Sequence, residues 1–265
     1  MEPTWGAISE TIRRPDRLAA LSMIEVESLT KLYGNFVAVN DLSFSVNGGE
    51  VMGLVGPNGA GKTTTLRCLA GIIPPTRGTL RICGHDLCRN PIEAKKALAL
   101  LTDEPRLFPY LTVEQHLAFT ARIYQVRQYL PKAELLLEEL ELSGKRTCLP
   151  GELSRGMKQK LVIACGLLHD PSVIYFDEPL TGLDPIGIRR MKDSILKRAR
   201  NGAAIIISSH LLLLVQEICS HILILKNGRK ISAGPIQEIA RQFSDENGDA
   251  TLEQAFFRAT QGEGD

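Results

Sequence analysis

Strands are predicted at Ile24-Glu25-Val26-Glu27-Ser28, 42–46, 51–55 and 79–82: apolar and polar residues alternate in the first, second and fourth, and the third carries no polar residue. Asn47-Gly48-Gly49, between the second and third of these runs, predicts a hairpin-type turn, so this half of the chain is expected to be partly antiparallel. After another apolar run at 98–101 the period changes. Val113, Leu117 and Ile123, then Leu135, Leu136, Leu140 and Leu142 behind Pro131, recur at helical spacing and predict a mainly helical subdomain over about 104–150. Beyond it strands and helices alternate: a helix over 157–169, a strand from Val173, a helix after Pro185, a strand over 204–208 and a helix from Leu211. Such an order implies a parallel core sheet with helices on both faces. Strands at 221–225 and 229–233 flank Asn227-Gly228, and residues 252–260 could form a short terminal helix. No internal repeat is present.

The expected organisation is therefore an α/β chain with a parallel core sheet, an antiparallel β subdomain and an inserted helical subdomain. Residues 1–22, which mix arginines with acids and carry two prolines, are expected to be a poorly ordered extension, 23–237 the folded domain and 238–265 a tail. With 265 residues, 44% hydrophobic and 23% charged, the chain can bury a large core. A formal net charge of +1 gives no general drive toward nucleic acid or an acidic membrane surface. The most apolar stretches, 203–207 and 211–215, are interrupted by Ser208-Ser209-His210, and no run approaches the roughly 18 residues needed to span a bilayer. Six cysteines, without a C-x-x-C pair or zinc-ligand spacing, read as reduced thiols that mostly fill the core.

Chemistry is concentrated in a few places. Gly56-Pro57-Asn58-Gly59-Ala60-Gly61-Lys62-Thr63 matches G-x-x-x-x-G-K-[ST] directly after the apolar run 51–55, and Thr64 continues it into a predicted helix. Glycines let backbone N–H groups close around a polyphosphate, while the helix aims its positive dipole end at the anion. Lys62 would then reach the β and γ phosphates, and the Thr63 hydroxyl would ligate Mg²⁺. A second apolar run, from Val173, ends on Asp177-Glu178-Pro179 and delivers two carboxylates at the carboxyl end of a buried strand. Asp177 would hold the Mg²⁺ shell opposite Thr63, and Glu178 would sit where a water attacks the γ phosphate. Leu153-Ser154-Arg155-Gly156-Met157 begins a helix with Ser154 placed as its N-cap. This second anion-binding helix start in a chain that already has one suggests that it completes the site of another protomer.

With these residues in view, the chain resembles the ATP-binding subunit of an ABC transporter over about residues 23–237, with wording most like bacterial export-type subunits. Five motifs occur in the family order: the phosphate loop, the signature at 153–159, the Asp177-Glu178 pair, Thr181-Gly182-Leu183-Asp184 as the D-loop, and His210 as the switch histidine. The resemblance implies a P-loop NTPase fold and two ATP-binding subunits, identical or not, that close head to tail with ATP between one protomer's phosphate loop and the other's Ser154 and Gly156. It implies that Glu178 polarises the attacking water, His210 contacts the γ phosphate, Asp184 reports across the interface and Tyr33 stacks on adenine. It also implies separate integral membrane permease subunits, which would hold the chain at the cytoplasmic face of a membrane. Arg155 and Met157 depart from the family's usual glycine and glutamine, and Asp103 stands where the family places a glutamine that contacts Mg²⁺ and water. A soluble ABC-type ATPase serving an assembly process is the competing reading.

Overall fold

The computed structural model describes residues 22–178, 180, 184–242, 253, 254, 256 and 257. The expected extension and most of the tail lie outside these residues, as do Pro179 and 181–183 of the D-loop. Of the helix expected over 252–260, Glu253, Gln254, Phe256 and Phe257 are described, and they are helical.

Two sheets share one structure. The first is antiparallel. β1 (Ser22–Tyr33) and β2 (Phe36–Asn47) form a long hairpin closed between Tyr33 and Phe36, and β4 (Arg77–Ile82) pairs with the other edge of β1, followed by the short β5 (His85–Asp86). The second sheet has the order β10-β9-β3-β8-β7-β6. In it β3 (Val51–Val55), β6 (Leu98–Leu101), β7 (Val173–Asp177), β8 (Ala204–Ser208) and β9 (His221–Lys226) run parallel, while β10 (Arg229–Pro235) returns antiparallel beside β9. Every residue of β3, β7 and β8 is buried, as strands covered on both faces must be. Asn227 and Gly228, both at positive φ, close the last hairpin as a two-residue turn.

One expectation is corrected. Asn47-Gly48-Gly49 does not join a hairpin, because β2 and β3 belong to different sheets. Glu50 N donates to Asn47 O at 3.2 Å and the Glu50 carboxylate accepts from the Asn47 amide, so the turn carries the chain from one layer to the next. The hairpin lies one strand earlier.

Side-chain alternation divides the core. Val173 and Tyr175 of β7 face a layer that contains Leu29, Leu42 and Leu80 of the antiparallel sheet and Leu66 and Leu69 of α1 (Lys62–Leu69). Ile174 and Phe176 face the opposite layer. There the packing comes from α3 (Val113–Ile123), α4 (Tyr129–Glu139), α5 (Arg155–Leu167), α6 (Pro185–Arg200) and α7 (Leu212–Ile218). The short α2 (Pro91–Lys96) precedes β6, and α8 (Ile236–Gln242) follows β10. Helical spacing over 104–150 thus produces α3 and α4, with 3-10 turns at Ser143–Lys145 and Pro150–Glu152 leading into α5. Thr112 starts α3 with a capping box, its hydroxyl accepting from Gln115 N while the Gln115 side chain accepts from Thr112 N.

Parallel register positions the chemistry. Leu54 pairs with Ser208, Asp177 with Ser208, and Leu101 with Phe176, so β3, β8, β7 and β6 end on one edge. The phosphate loop, Ser209-His210, Glu178 and Thr102-Asp103 therefore leave the sheet side by side, at the carboxyl ends where open α/β sheets bind ligands.

Candidate active site

Residues 56–63 connect β3 to α1. A Cβ built on Gly56 would lie 2.3 Å from Leu225 O, and one on Gly61 would lie 2.6 Å from Ala38 O, so the loop backbone is pressed against its neighbours as only glycine permits. Gly61 is also the N-cap of α1 at φ +102, a left-handed conformation that side chains rarely adopt. No side chain caps α1 and no acid sits in its first turn, so the N–H groups of Lys62, Thr63 and Thr64 remain available to an anion. Ala60 is buried, whereas Pro57, Asn58, Gly59 and Thr63 are exposed.

The Lys62 ammonium folds back onto the loop, donating to Gly56 O at 2.7 Å and Pro57 O at 3.1 Å. Burial pushes its pKa below 10.5, while the charges of Glu178 and Asp177 pull it the other way. Both carboxylates therefore act on Lys62. Asp177, 7% exposed, ends β7 and accepts a short hydrogen bond from the Ser208 hydroxyl on β8. Glu178 follows at φ +52, a left-handed conformation that costs a non-glycine residue on the order of 1–3 kcal/mol. Two contacts hold it there: its N–H donates to Ser208 O at 3.0 Å, and its Oε1 accepts from His210 N at 3.1 Å. The same Oε1 lies 2.9 Å from His210 Nδ1. Backbone and side chain of Glu178 are thus both tied to the end of β8.

Ser154 caps α5 as expected, its Oγ accepting from Met157 N at 3.2 Å, and Gly156 lies in the first turn. Met157 packs its side chain on the helical-layer core while Arg155 is exposed, which explains why neither departure disturbs the cap. Asp184 caps α6, its Oδ1 accepting from Gly187 N at 2.9 Å. Tyr33 ends β1 at 48% exposure with the Lys31 ammonium 5.2 Å from its ring centre. Asp103 is exposed beyond β6. Among the described residues no hydrogen bond or ion pair joins Ser154, Gly156, Asp184, Tyr33 or Asp103 to the cluster of Lys62, Asp177, Glu178 and His210.

The donor set suits a nucleoside triphosphate: loop amides, an ammonium and a helix start for the phosphates, and an exposed aromatic ring for a base. Thr63 and Asp177 supply hard oxygen donors. Among the described residues no group of three or more His, Cys, Asp or Glu side chains surrounds a metal position. Two parts of the site were not picked out in the sequence. In the sequence Ser208 is only the end of a strand, and Gln159 only part of a motif. A serine closing an all-apolar strand is the signal that could have found the first. The second emerges only from packing.

Comparison with known proteins agrees. The ABC transporter family profile matches residues 39–181. The chain is 33% identical over 260 residues to "Probable multidrug ABC transporter ATP-binding protein YbhF" of Escherichia coli (strain K12), covering 97% of this chain but only 44% of that protein's length. It is 36% identical over 217 residues to "Nod factor export ATP-binding protein I" of Burkholderia orbicola (strain AU 1054), covering 81% of this chain and 71% of that one. A solved "Structure of ATP binding subunit of ABC transporter" superposes with a TM-score of 0.86 at 33% identity, covering 90% of this chain and 99% of the other. Motif order, sheet topology and these matches all lead to one assignment: the chain belongs to the ABC transporter family, as one of its ATP-binding subunits.

Proposed function

We propose that this subunit binds and hydrolyses ATP between two copies, or between itself and a second ATP-binding subunit, and so drives a separate membrane permease as an exporter. The observation that carries the reading is the convergence of Lys62, Asp177, Glu178 and His210 at one sheet edge, with Glu178 fixed through both backbone and side chain. Gly56, Pro57, Asn58, Gly59, Ala60, Gly61, Lys62, Thr63 and Thr64 hold the phosphates. Thr63, Asp177 and Asp103 are the residues that would hold Mg²⁺, which when bound neutralises charge on the phosphate oxygens. Glu178 orients and deprotonates the attacking water, a role worth about 10²- to 10⁴-fold in rate. His210 holds Glu178 and faces the γ phosphate, and Tyr33 stacks on the base. Ser154 and Gly156 complete the partner's site, and Asp184 senses its state.

The export direction rests on a relative named for Nod factor export, beside one named for a multidrug ABC transporter. No helix among the described residues is long and apolar enough to cross a membrane, so attachment falls to a permease. Phe108, Tyr110 and Phe119, exposed at 52%, 87% and 42% on the segment after Asp103 and on α3, suit that contact. The helical subdomain at about 104–150 transmits the motion. A ligand shifts such an equilibrium only by preferring one state, so ATP must bind the closed dimer more tightly, and hydrolysis removes the preference.

The test is the Glu178→Gln chain. It is expected to bind ATP and persist as a dimer on size exclusion while hydrolysis drops at least about 100-fold. Hydrolysis at the wild-type rate would remove Glu178 as the base. Capture of the tagged chain from detergent-solubilised native membranes should recover a multi-span protein. Recovery of soluble partners alone would favour an assembly ATPase.

A further inference from the structure

Gln159 is a polar residue that the catalytic reading does not use. It lies on the second turn of α5, is 2% exposed, and its Nε2 donates to Thr102 O at 2.8 Å. Its Oε1 is buried without a partner. A buried amide oxygen left unpaired costs about 1–3 kcal/mol, and a leucine or methionine of similar volume would fill the space without that cost. Stability therefore does not explain a glutamine here. What it contacts does. Thr102 is the first residue beyond β6 and the one before Asp103, and its hydroxyl donates to Glu104 O at 3.1 Å, so the turn at 102–104 is held both from within and from α5. At its other end α5 begins with Ser154.

We propose that Gln159 is a positioning residue whose amide straps the turn carrying Asp103 to the helix carrying Ser154, so that displacement of one is felt by the other. The inference rests on the roles given above to Asp103 and Ser154. It gives the two halves of the nucleotide site, one belonging to each protomer's ATP, a direct connection within one chain. The connection runs through a single side chain.

Four variants of the full chain test it: Gln159→Met, which lacks the donor; Gln159→His, which keeps a ring N–H; Asp103→Asn; and Gln159→Met with Asp103→Asn. Hydrogen exchange is measured at the amides of Asp103, Glu104 and Arg106 without nucleotide, and ATP affinity by calorimetry with and without Mg²⁺. One hydrogen bond is worth about 1 kcal/mol net, so exchange in Gln159→Met is expected to rise about fivefold, with Gln159→His closer to wild type. The gain in ATP affinity from Mg²⁺ should shrink by a similar factor in Gln159→Met. It should shrink in Asp103→Asn as well, with the double variant no worse than Asp103→Asn alone. Unchanged exchange in Gln159→Met overturns the strap, as does a double variant whose losses multiply. Where Gln159→Met lacks a cooperative thermal transition, Gln159→Leu takes its place. An Asp103→Asn chain with the full Mg²⁺ gain would instead overturn the site reading, a failure that the exchange measurement, which reports Gln159 directly, keeps separate.

Discussion

Lys62 shows how one side chain balances opposing effects. Burial favours its neutral form, two nearby carboxylates favour the ammonium, and the net shift is downward from 10.5. The unfolded chain therefore holds this proton more tightly, so Lys62 opposes folding below its folded pKa, and that opposition fades as pH rises toward 10.5. A bound triphosphate reverses the shift by adding negative charge. ATP binding is thus expected to take up protons at pH 9–10, measurable by calorimetry in buffers of different ionisation enthalpy, and Lys62→Met should abolish the uptake. The same substitution removes charge-assisted bonds worth about 1.5–3 kcal/mol, so ATP affinity should fall about 10- to 100-fold. Gly61→Ala should disturb the loop by backbone strain of about 1–3 kcal/mol, visible as a lower thermal midpoint. These residues were legible in the sequence because phosphate chemistry demands them at fixed spacing. Glu178's left-handed backbone was not, since no local rule places a glutamate there; the contacts from β8 do.

Among the elements, α5 joins the Ser154 helix start and the Thr102 turn to the helical layer. Ser154→Ala should remove a cap worth about 1 kcal/mol and, on the proposed function, also weaken ATP-driven dimerisation, two effects separable by melting the monomer and titrating the dimer. Further along, Lys160 of α5 and Arg190 of α6 both pair with Glu141, at 2.9 and 2.6 Å. The hydrogen bond from Lys160, then its charge, hold the Glu141 carboxyl below its ordinary 4.5. A lowered carboxyl pKa contributes stability that is present above 4.5 and lost as pH falls through the folded value below it. Glu141→Gln should accordingly flatten that part of the acid-unfolding curve, followed by circular dichroism between pH 5 and 2. Helix α5 itself was foreseen to within two residues at each end, because its cap and periodicity are local. That it is tied to Glu141 and Thr102 was not, for both partners lie outside the helix.

At the scale of the whole molecule, one mainly parallel sheet separates the two largest cores, and β7 serves both. Phe176, 1% exposed in the helical-layer core, should cost about 3–5 kcal/mol on truncation to alanine, read from denaturant unfolding. The sheet's register then converts stability into function, since whatever shifts β7 against β8 shifts Asp177 against Ser208. The antiparallel hairpin of β1 and β2 lies on the other core and carries Tyr33 at its tip, at the end of a strand seven residues longer than the 24–28 run foreseen. Strand length was underestimated because residues 29–33 lack strict alternation, and register shifts in the pairing absorb the irregularity.

The sequence by itself determined the α/β class and the parallel core sheet, and it singled out the glycine-rich loop 56–63 and the Asp177-Glu178 pair, because each depends on residue types at short spacing or on a periodicity that burial imposes; His210 stood out only through the family resemblance. Only the tertiary structure decided that Asn47-Gly48-Gly49 links two sheets, that β3, β6, β7 and β8 end together, that His210 holds Glu178, and that Gln159 reaches Thr102. Those facts join residues 32 or 57 positions apart or depend on which strands become neighbours. Pairing of that kind is settled by the packing of the whole chain rather than by any window along it.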